Sequence, residues 1–288
     1  MTAAPESGLS EAATRADFAT AAAGIGAELR SEEFRTSSHR IAQFAAALGD
    51  ANPAHLAGRI APPTFAHIPI MQSMVQVLQQ VTDAFLLHGE HDFVFHRPIE
   101  PGQRLFSRSR LVGLRGGKAG LLLIVRSDTE THRGEPVVTQ FTTCLQRGAA
   151  EERTAGEAPP LRPPAAGELT PAERYPISPG LTQGYAEAAR DYSPYCLSPE
   201  VARGLGFAAP LVHGMLSLSL ATRGLVQRAA GGDAARLRRL GCRFSRPLLS
   251  RDGESLQVFR TGSRIVHFTA QNGDGAPVLT RGYAEVAA

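Results

Sequence analysis

An internal repeat constrains this chain more than any other feature of its sequence. Three pairs of segments match in the same order: FAAALGDANPAH (44–55) with YAEAARDYSPYC (185–196), IAPPTFA (60–66) with AAPLVHG (208–214), and FHRPIEPGQRL (95–105) with FSRPLLSRDGESL (244–256). Repeated units of this kind bury their apolar faces against one another. The repeat therefore predicts two similar units that pack side by side.

The chain length and a proline-rich stretch divide the sequence into four parts. A chain of 288 residues is long enough for two domains of roughly 100–150 residues each. The stretch EERTAGEAPPLRPPAAGELTP (151–171) is rich in proline and charge, which is typical of an extended linker. We therefore expect a flexible lead-in over 1–24, a first repeat over 25–148, a linker over 149–170 and a second repeat over 171–288.

The same order of secondary structure is predicted in both halves. A short helix (38–48 and 179–190) precedes a turn that contains aspartate, and a longer helix (65–85 and 213–230) follows it. The longer helices are apolar on most faces, which is typical of buried helices. Strand-like runs separated by glycine turns then complete each half, so the sheet should be mainly antiparallel. The pattern predicts an α+β fold in which a long central helix is wrapped by an antiparallel sheet, with the two sheets paired edge to edge.

Composition excludes some functions and indicates a compartment. The net charge is only +3, without a cluster of basic residues, so nucleic acid is not an expected partner. Cys144, Cys196 and Cys242 lack metal-ligand spacing and are too few for a disulfide scaffold, which fits the cytoplasm. The sequence shows neither a signal peptide nor a membrane span, so a membrane is not an expected partner either.

The motifs resemble those of the MaoC-like dehydratase and R-specific enoyl-CoA hydratase family. The resemblance rests on YAEAARDYSPYCLSPEVARGLGFAAPLVHGM (185–215) in the second half, and on LGDANPAH, APPTF and LHGEHDFVFHRPI in the first. It implies a double hotdog fold and a hydro-lyase that hydrates enoyl thioesters or dehydrates 3-hydroxyacyl thioesters. The substrate would be carried on CoA or acyl carrier protein, as in fatty acid or polyketide metabolism, and no metal or redox cofactor is expected. Either a monomer or a homodimer is compatible with this family.

Departures from the family motif place the expected active site in the first half. The second half keeps Asp191 and the family histidine His213, but Ser193 stands in place of asparagine and Cys196 in place of the catalytic histidine. A buried replacement is the simpler interpretation of Cys196, because no flanking charge lowers its pKa. The first half instead keeps the complete set of Asp50, Asn52, Pro53 and His55.

The first-half residues suit acid–base catalysis. His55 is the expected base, because neutral imidazole has a pKa close to working pH. Asp50 should share the same water, with a carboxyl pKa that partial burial raises. Asn52 should hold the turn. A plain helix cap is the alternative interpretation of the Asp-x-Asn-Pro sequence.

The start of the central helix should supply an oxyanion site and an acyl tunnel. The resemblance implies a backbone N–H donor there, and the alignment of the two halves places it at Ala66, with Gly214 as its second-half equivalent. Met71, Met74 and Val75 are plausible wall residues of the acyl tunnel, although plain core packing is the simpler interpretation of each.

Two further interpretations concern metal binding and function. His88, His91 and His96 are close in sequence, but strand alternation puts His91 on the opposite face from the other two. We therefore expect no metal site. The functional alternatives are a dehydratase-derived isomerase or cyclase of a biosynthetic pathway, and a non-catalytic hotdog partner that binds acyl chains.

Overall fold

The computed structural model describes residues 16–288. Its helices are α1 (Phe18–Ala23), α2 (Ser38–Ala47), α3 (Pro53–Leu56), α4 (Met71–Gln79), α5 (Pro179–Ala189), α6 (Pro194–Leu197), α7 (Pro199–Gly204) and α8 (Gly214–Arg228), with 3₁₀ helices at Pro63–Ile70 and Ala234–Arg236. Its strands are β1 (Glu28–Arg30), β2 (Phe34–Arg35), β3 (Leu86–Phe95), β4 (Arg104–Gly117), β5 (Gly120–Thr131), β6 (Pro136–Arg147), β7 (Thr154–Gly156), β8 (Thr170–Ile177), β9 (Leu237–Phe244), β10 (Glu254–Thr261), β11 (Ile265–Gln271) and β12 (Pro277–Val286).

The strands form a single sheet that spans both repeats. Its order is β1-β4-β5-β6-β3-β9-β12-β11-β10-β8, with β2 and β7 also paired to β4. Every pairing between these strands of residues 16–288 is antiparallel. The repeats meet where β3 pairs with β9, and His91 stands opposite Cys242 in that register. The predicted edge-to-edge joint is confirmed, and it leaves no open sheet edge between the repeats.

Equivalent residues of the two repeats also meet in the helical layer. The rings of Phe44 and Tyr185, which align in the repeat, lie 5.9 Å apart between centroids. Both side chains are fully buried. The two motif turns that follow α2 and α5 are therefore held in one rigid layer against the sheet.

The central helices differ between the repeats. Helix α8 is continuous and buried on most faces, as predicted. The continuous helix predicted over 65–85 is wrong, because a buried 3₁₀ helix takes its first part and α4 ends at Gln79. Pro63 and Pro69 lack the backbone N–H that a regular α-helix needs, which accounts for the break. Helix α4 is amphipathic, with Ser73, Met74, Val77 and Leu78 buried.

Two segments expected to be irregular form secondary structure or side-chain contacts instead. The lead-in expectation is wrong for residues 16–24, because Asp17 caps α1 and Phe18 is buried there; residues 1–15 lie outside the described part. In the linker stretch, β7 pairs with β4. The Arg162 side chain, 5% exposed, inserts between the carboxylates of Glu90 and Asp92. The linker thus bonds to the first repeat at two points.

Candidate active site

The first-half motif folds into a turn that brings an acid and a histidine together. Asp50 follows α2, and its Oδ1 accepts a hydrogen bond from the backbone N–H of Asn52 at 2.9 Å. Asn52 caps α3, with Pro53 at the first helical position, so His55 lies on the third residue of that helix. His55 Nδ1–H donates to Asp50 Oδ2 at 2.6 Å. Asp50 and His55, which were expected to converge on one water, are joined in the structure by this direct hydrogen bond.

Hydrogen bonds and charge favour the ionised form of Asp50. The side chains of His55 and Asp50 are 2% and 8% exposed. Burial alone would raise the pKa of the Asp50 carboxyl, but the hydrogen bonds from His55 and Asn52 and the charges of His55 and Arg223 outweigh it and hold that pKa below its ordinary value. The expectation of a raised pKa for Asp50 is therefore wrong. Asp50 is therefore an ionised acceptor of the hydrogen bond from His55 Nδ1.

The second repeat closes over this turn. Asn52 Nδ2 donates to the Gly232 carbonyl at 2.7 Å, while Asn52 Oδ1 accepts from Ala54 N at 2.9 Å. Arg223 of α8 donates from Nη1 to the Leu48 carbonyl at 2.5 Å. The Nε2 atom of His55 is buried and has no hydrogen-bond partner among the described residues. Asn52 thus orients the turn and ties it to the other repeat.

The second-half motif forms the same turn and short helix but carries different side chains. The backbone N and the Oγ of Ser193 both donate to Asp191 Oδ1, at 3.2 and 2.6 Å. Cys196 is the third residue of α6, as His55 is of α3, and burial raises the pKa of its thiol. His213 Nε2–H donates to the backbone carbonyl of Asp191 at 3.0 Å. No imidazole occupies position 196, so this turn holds a protonated thiol instead of a base.

A cavity of about 470 Å³ opens at the second-half motif. Its walls come from α4, from the segment after it, from β3 and β6, and from the motif itself: His67, Met71, Met74, Val75, Leu78, Gln79, Thr82, Asp83, Ala84, Phe85, Leu86, His88, Thr142, Cys144, Asp191, Ser193, Tyr195, Cys196, His213, Gly214 and Met215. The three predicted tunnel residues therefore lie together in a ligand-sized space, within the usual range for small-molecule sites. They line the cavity together with the degenerate motif and Gly214, whereas the predicted tunnel ran to His55.

The space beside Ala66 is much smaller. A cavity of about 20 Å³ lies there, between the 3₁₀ helix of the first repeat and residues 234–238 of the second. It has room for roughly one water molecule. Ala66 is 1% exposed, and its carbonyl accepts from Gln140 Nε2 at 2.9 Å. His55 is buried and does not line this cavity.

Sequence reasoning missed a histidine cluster in the large cavity. A bulge between His88 and Glu90 shifts the register of β3, so His88 and His91 share a side instead of alternating as expected. His88 Nε2–H donates to His91 Nδ1 at 3.1 Å, and His91 Nε2–H donates to Gln140 Oε1 at 3.1 Å. Gly89 within the strand was the available signal, since glycine there often marks a bulge.

His67 completes this cluster. Its ring stacks on His88 at 5.8 Å and meets the edge of His91 at 5.1 Å between centroids. His96 lies apart, against Thr139. Within residues 16–288, no group of three or more His, Cys, Asp or Glu side chains is arranged to hold a metal ion. Over the same residues, no helix is long and apolar enough to cross a membrane.

Two repeats that share one antiparallel sheet around central helices, with an Asp-containing turn before each central helix, define a double hotdog protein. The first half matches the family described as FAS1-like, dehydratase domain region, over residues 23–140, and the second matches the MaoC like domain over residues 163–277. The chain belongs to the MaoC-like dehydratase and R-specific enoyl-CoA hydratase family and is a hydro-lyase.

Relatives and solved structures extend over both repeats. Peroxisomal enoyl-CoA hydratase 2 of Arabidopsis thaliana is 24% identical over 240 residues, which are 78% of this chain and 77% of that protein. The MaoC-like dehydratase of Phytophthora capsici superimposes with a TM-score of 0.78 at 24% identity, covering 94% of this chain and 99% of that one. A conserved hypothetical protein of Mycobacterium tuberculosis with a double hotdog fold has a TM-score of 0.60 at 13% identity, covering 91% and 95%. These likenesses confirm the predicted fold.

Proposed function

We propose that this protein catalyses the R-specific addition of water to 2-enoyl thioesters, or the reverse dehydration of 3-hydroxyacyl thioesters, with Asp50 and His55 as an acid–base pair. The observation that carries this proposal is the 2.6 Å contact between His55 Nδ1 and Asp50 Oδ2, which leaves the buried Nε2 without a partner among the described residues. A carboxylate that accepts from one ring nitrogen fixes the tautomer in which the other nitrogen takes a proton.

In this reaction His55 Nε2 takes a proton from water, and the water oxygen adds to C3 of the enoyl group. The negative charge then develops on the thioester oxygen, where the N–H of Ala66 is the proposed donor. His55 returns the proton to C2. Asp50 stays ionised and stabilises the imidazolium, and Asn52 holds both residues in place. The reaction consists of proton transfers and oxyanion stabilisation, so we propose no metal or redox cofactor.

The proposed substrate carrier is CoA, with acyl carrier protein as the alternative. The relatives named enoyl-CoA hydratase 2 support the CoA thioester. All three cysteines are free and buried, which supports a cytoplasmic location. A monomer and a homodimer are both compatible with this proposal, because the joint between β3 and β9 lies within one chain.

An assay of enoyl absorbance tests this proposal. Purified protein is mixed with crotonyl-CoA, and turnover is compared for wild type, His55→Ala and Asp50→Asn. Both variants should lower crotonyl-CoA turnover by roughly 100-fold or more. Cys196→Ala is the matched control at the equivalent position and should leave that turnover unchanged, because the Cys196 thiol stays protonated. Full activity of His55→Ala on crotonyl-CoA would remove His55 from the reaction.

A second candidate function is supported by the position of the large cavity. The 470 Å³ space lies at the motif that lost its histidine, so a non-catalytic acyl-binding protein is the competing proposal. It predicts that acyl-CoA binds, in a calorimetric titration, without turnover of any CoA or carrier-bound enoyl substrate. Measured turnover by wild type decides against it.

A further inference from the structure

His67 belongs to the first repeat but lines the cavity at the second-half motif. It lies on the 3₁₀ helix Pro63–Ile70, is 5% exposed, and its Nδ1 has no hydrogen-bond partner within the described part of the chain. Asp191 and Cys196 lie on the walls of the same cavity. A buried imidazole with an unpaired nitrogen beside a ligand-sized space is costly unless a ligand or water satisfies it.

Two other histidines of the cavity wall use one ring nitrogen in a hydrogen bond of their own. His213 Nε2 donates to a backbone carbonyl, and His88 Nε2 donates to His91. The Cys196 thiol is buried, and its pKa is raised. His67 and His213 each carry a buried Nδ1 without a hydrogen-bond partner among the described residues, but the ring of His213 is held through Nε2 by the backbone carbonyl of Asp191.

We propose that the large cavity is a second acid–base centre, in which His67 replaces the histidine missing at position 196 and acts with Asp191 and the backbone amide of Gly214. The proposal rests on the proposed function for its substrate class, an acyl thioester. It adds a site with its own base, supplied across the repeat boundary, and it assigns long acyl chains to the 470 Å³ cavity because the space beside Ala66 is about 20 Å³.

The reaction at this centre balances without a further reactant. His67 takes one proton from a water molecule, and the water oxygen forms a bond to C3 as the C2–C3 double bond opens. The electron pair moves onto the thioester oxygen beside the first amide of α8, where helix N–H groups are free. His67 then returns the proton to C2, so one water has been added. The Asp191 side chain positions the water and stabilises the imidazolium.

The electrostatics at His67 are compatible with this role. Burial lowers the pKa of His67 to about 4, and the negative charge of Asp191 opposes that shift. His67 is therefore neutral at pH 7 and can accept a proton. The neighbouring His88 and His91 have lowered pKa values as well, because they are buried and repel charge on one another. An imidazolium formed at His67 is thus stabilised by Asp191 and by no other histidine of the cluster.

The test distinguishes the two centres by the acyl chain length of the substrate and by combining substitutions at His55 and His67. Turnover of 2-decenoyl-CoA and crotonyl-CoA is measured for His55→Ala, His67→Gln and the double variant. We expect His55→Ala to keep most 2-decenoyl-CoA turnover, and the added His67→Gln to lower kcat by at least roughly tenfold with little change in KM. His96→Gln is the matched control, since His96 is an exposed histidine that lies outside this cavity against Thr139, and this variant should change kcat less than about twofold.

A rescue variant separates chemistry from structure. Cys196→His restores the family arrangement beside Asp191 and should recover 2-decenoyl-CoA turnover in the His67→Gln background. His67→Asn, checked by thermal unfolding, serves if the glutamine variant does not fold. The second centre is overturned if His67→Gln keeps full turnover while His55→Ala abolishes it for both substrates, and the proposed function then stands. Absence of turnover by wild type overturns the proposed function, and this centre with it.

Discussion

The Nδ1 atom of His55 lies 2.6 Å from Oδ2 of Asp50, at side-chain exposures of 2% and 8%. The two residues are therefore one unit, in which the charge of Asp50 sets the tautomer of His55. The equivalent turn of the second repeat has the same backbone with Ser193 and Cys196, and it lacks this unit. The Asp50–His55 pair thus lies in the first repeat, whereas the ligand-sized cavity lies at the motif of the second repeat.

Asp50→Asn should remove the same turnover as His55→Ala. An amide in place of the carboxylate no longer fixes the tautomer or stabilises the imidazolium, and losses of roughly 10²–10⁴ in kcat are typical. The measurement is crotonyl-CoA turnover in the His67→Gln background, where the proposed second centre is silent. Because the two residues act as a unit, the Asp50→Asn, His55→Ala double variant should lose no more than either single one. Additive losses would show that they act independently.

Asn52→Ala should destabilise the fold more than the removal of an ordinary helix cap. Asn52 caps α3 and also donates to Gly232 of the other repeat, so we expect a loss of about 1–3 kcal/mol in the free energy of unfolding. Ser37→Ala is the matched control, since Ser37 caps α2 through the Arg40 N–H alone. Urea denaturation of both variants measures the difference. Equal losses would mean that the bond to Gly232 contributes nothing.

Asp92→Asn should change how stability depends on pH. Burial raises the pKa of Asp92 to about 7, although the charge of Arg162 opposes the shift. Between its ordinary value of 3.8 and pH 7, the folded state therefore binds more protons at this group than the unfolded state, so its contribution to stability falls as pH rises. The variant should gain stability over wild type progressively from pH 4 to pH 8. Unfolding curves for Asp252→Asn, a substitution at an exposed residue, should run parallel to wild type.

Met74→Trp should shorten the range of acyl chains. Met74 is 7% exposed and lines the large cavity from α4, so a larger side chain fills space that a long chain needs. A misfit of an acyl chain in an apolar pocket typically costs about 1–3 kcal/mol of transition-state binding, so we expect roughly a tenfold or larger loss in kcat/KM for 2-decenoyl-CoA. Crotonyl-CoA turnover should change little. Gln76→Trp, on the exposed side of the same helix, is the control, and an equal loss there would contradict the assignment of the cavity.

Local sequence patterns were sufficient to predict most helices and strands and to place Asp50 and His55 in one turn. The helices at 38–48 and 179–190, the antiparallel strands and the joint between the repeats follow from hydrophobic periodicity, glycine turns and the duplication itself. Asp50 and His55 lie within one turn and one short helix, so short-range geometry brings them together. The lead-in and the continuous helix over 65–85 were wrong, because tertiary packing ordered α1 and prolines changed the helix type.

Contacts between residues that are far apart in the sequence could be determined only from the tertiary structure. His67 meets Asp191 at one cavity only because the sheet joins β3 to β9 and lays one repeat over the other. His88 meets His91 only because the bulge at Gly89 breaks strand alternation. The pKa of Asp50 is lowered instead of raised, since hydrogen bonds and the charge of Arg223 from α8 outweigh burial. Periodicity specifies which face of an element is buried, but long-range packing specifies what that face meets.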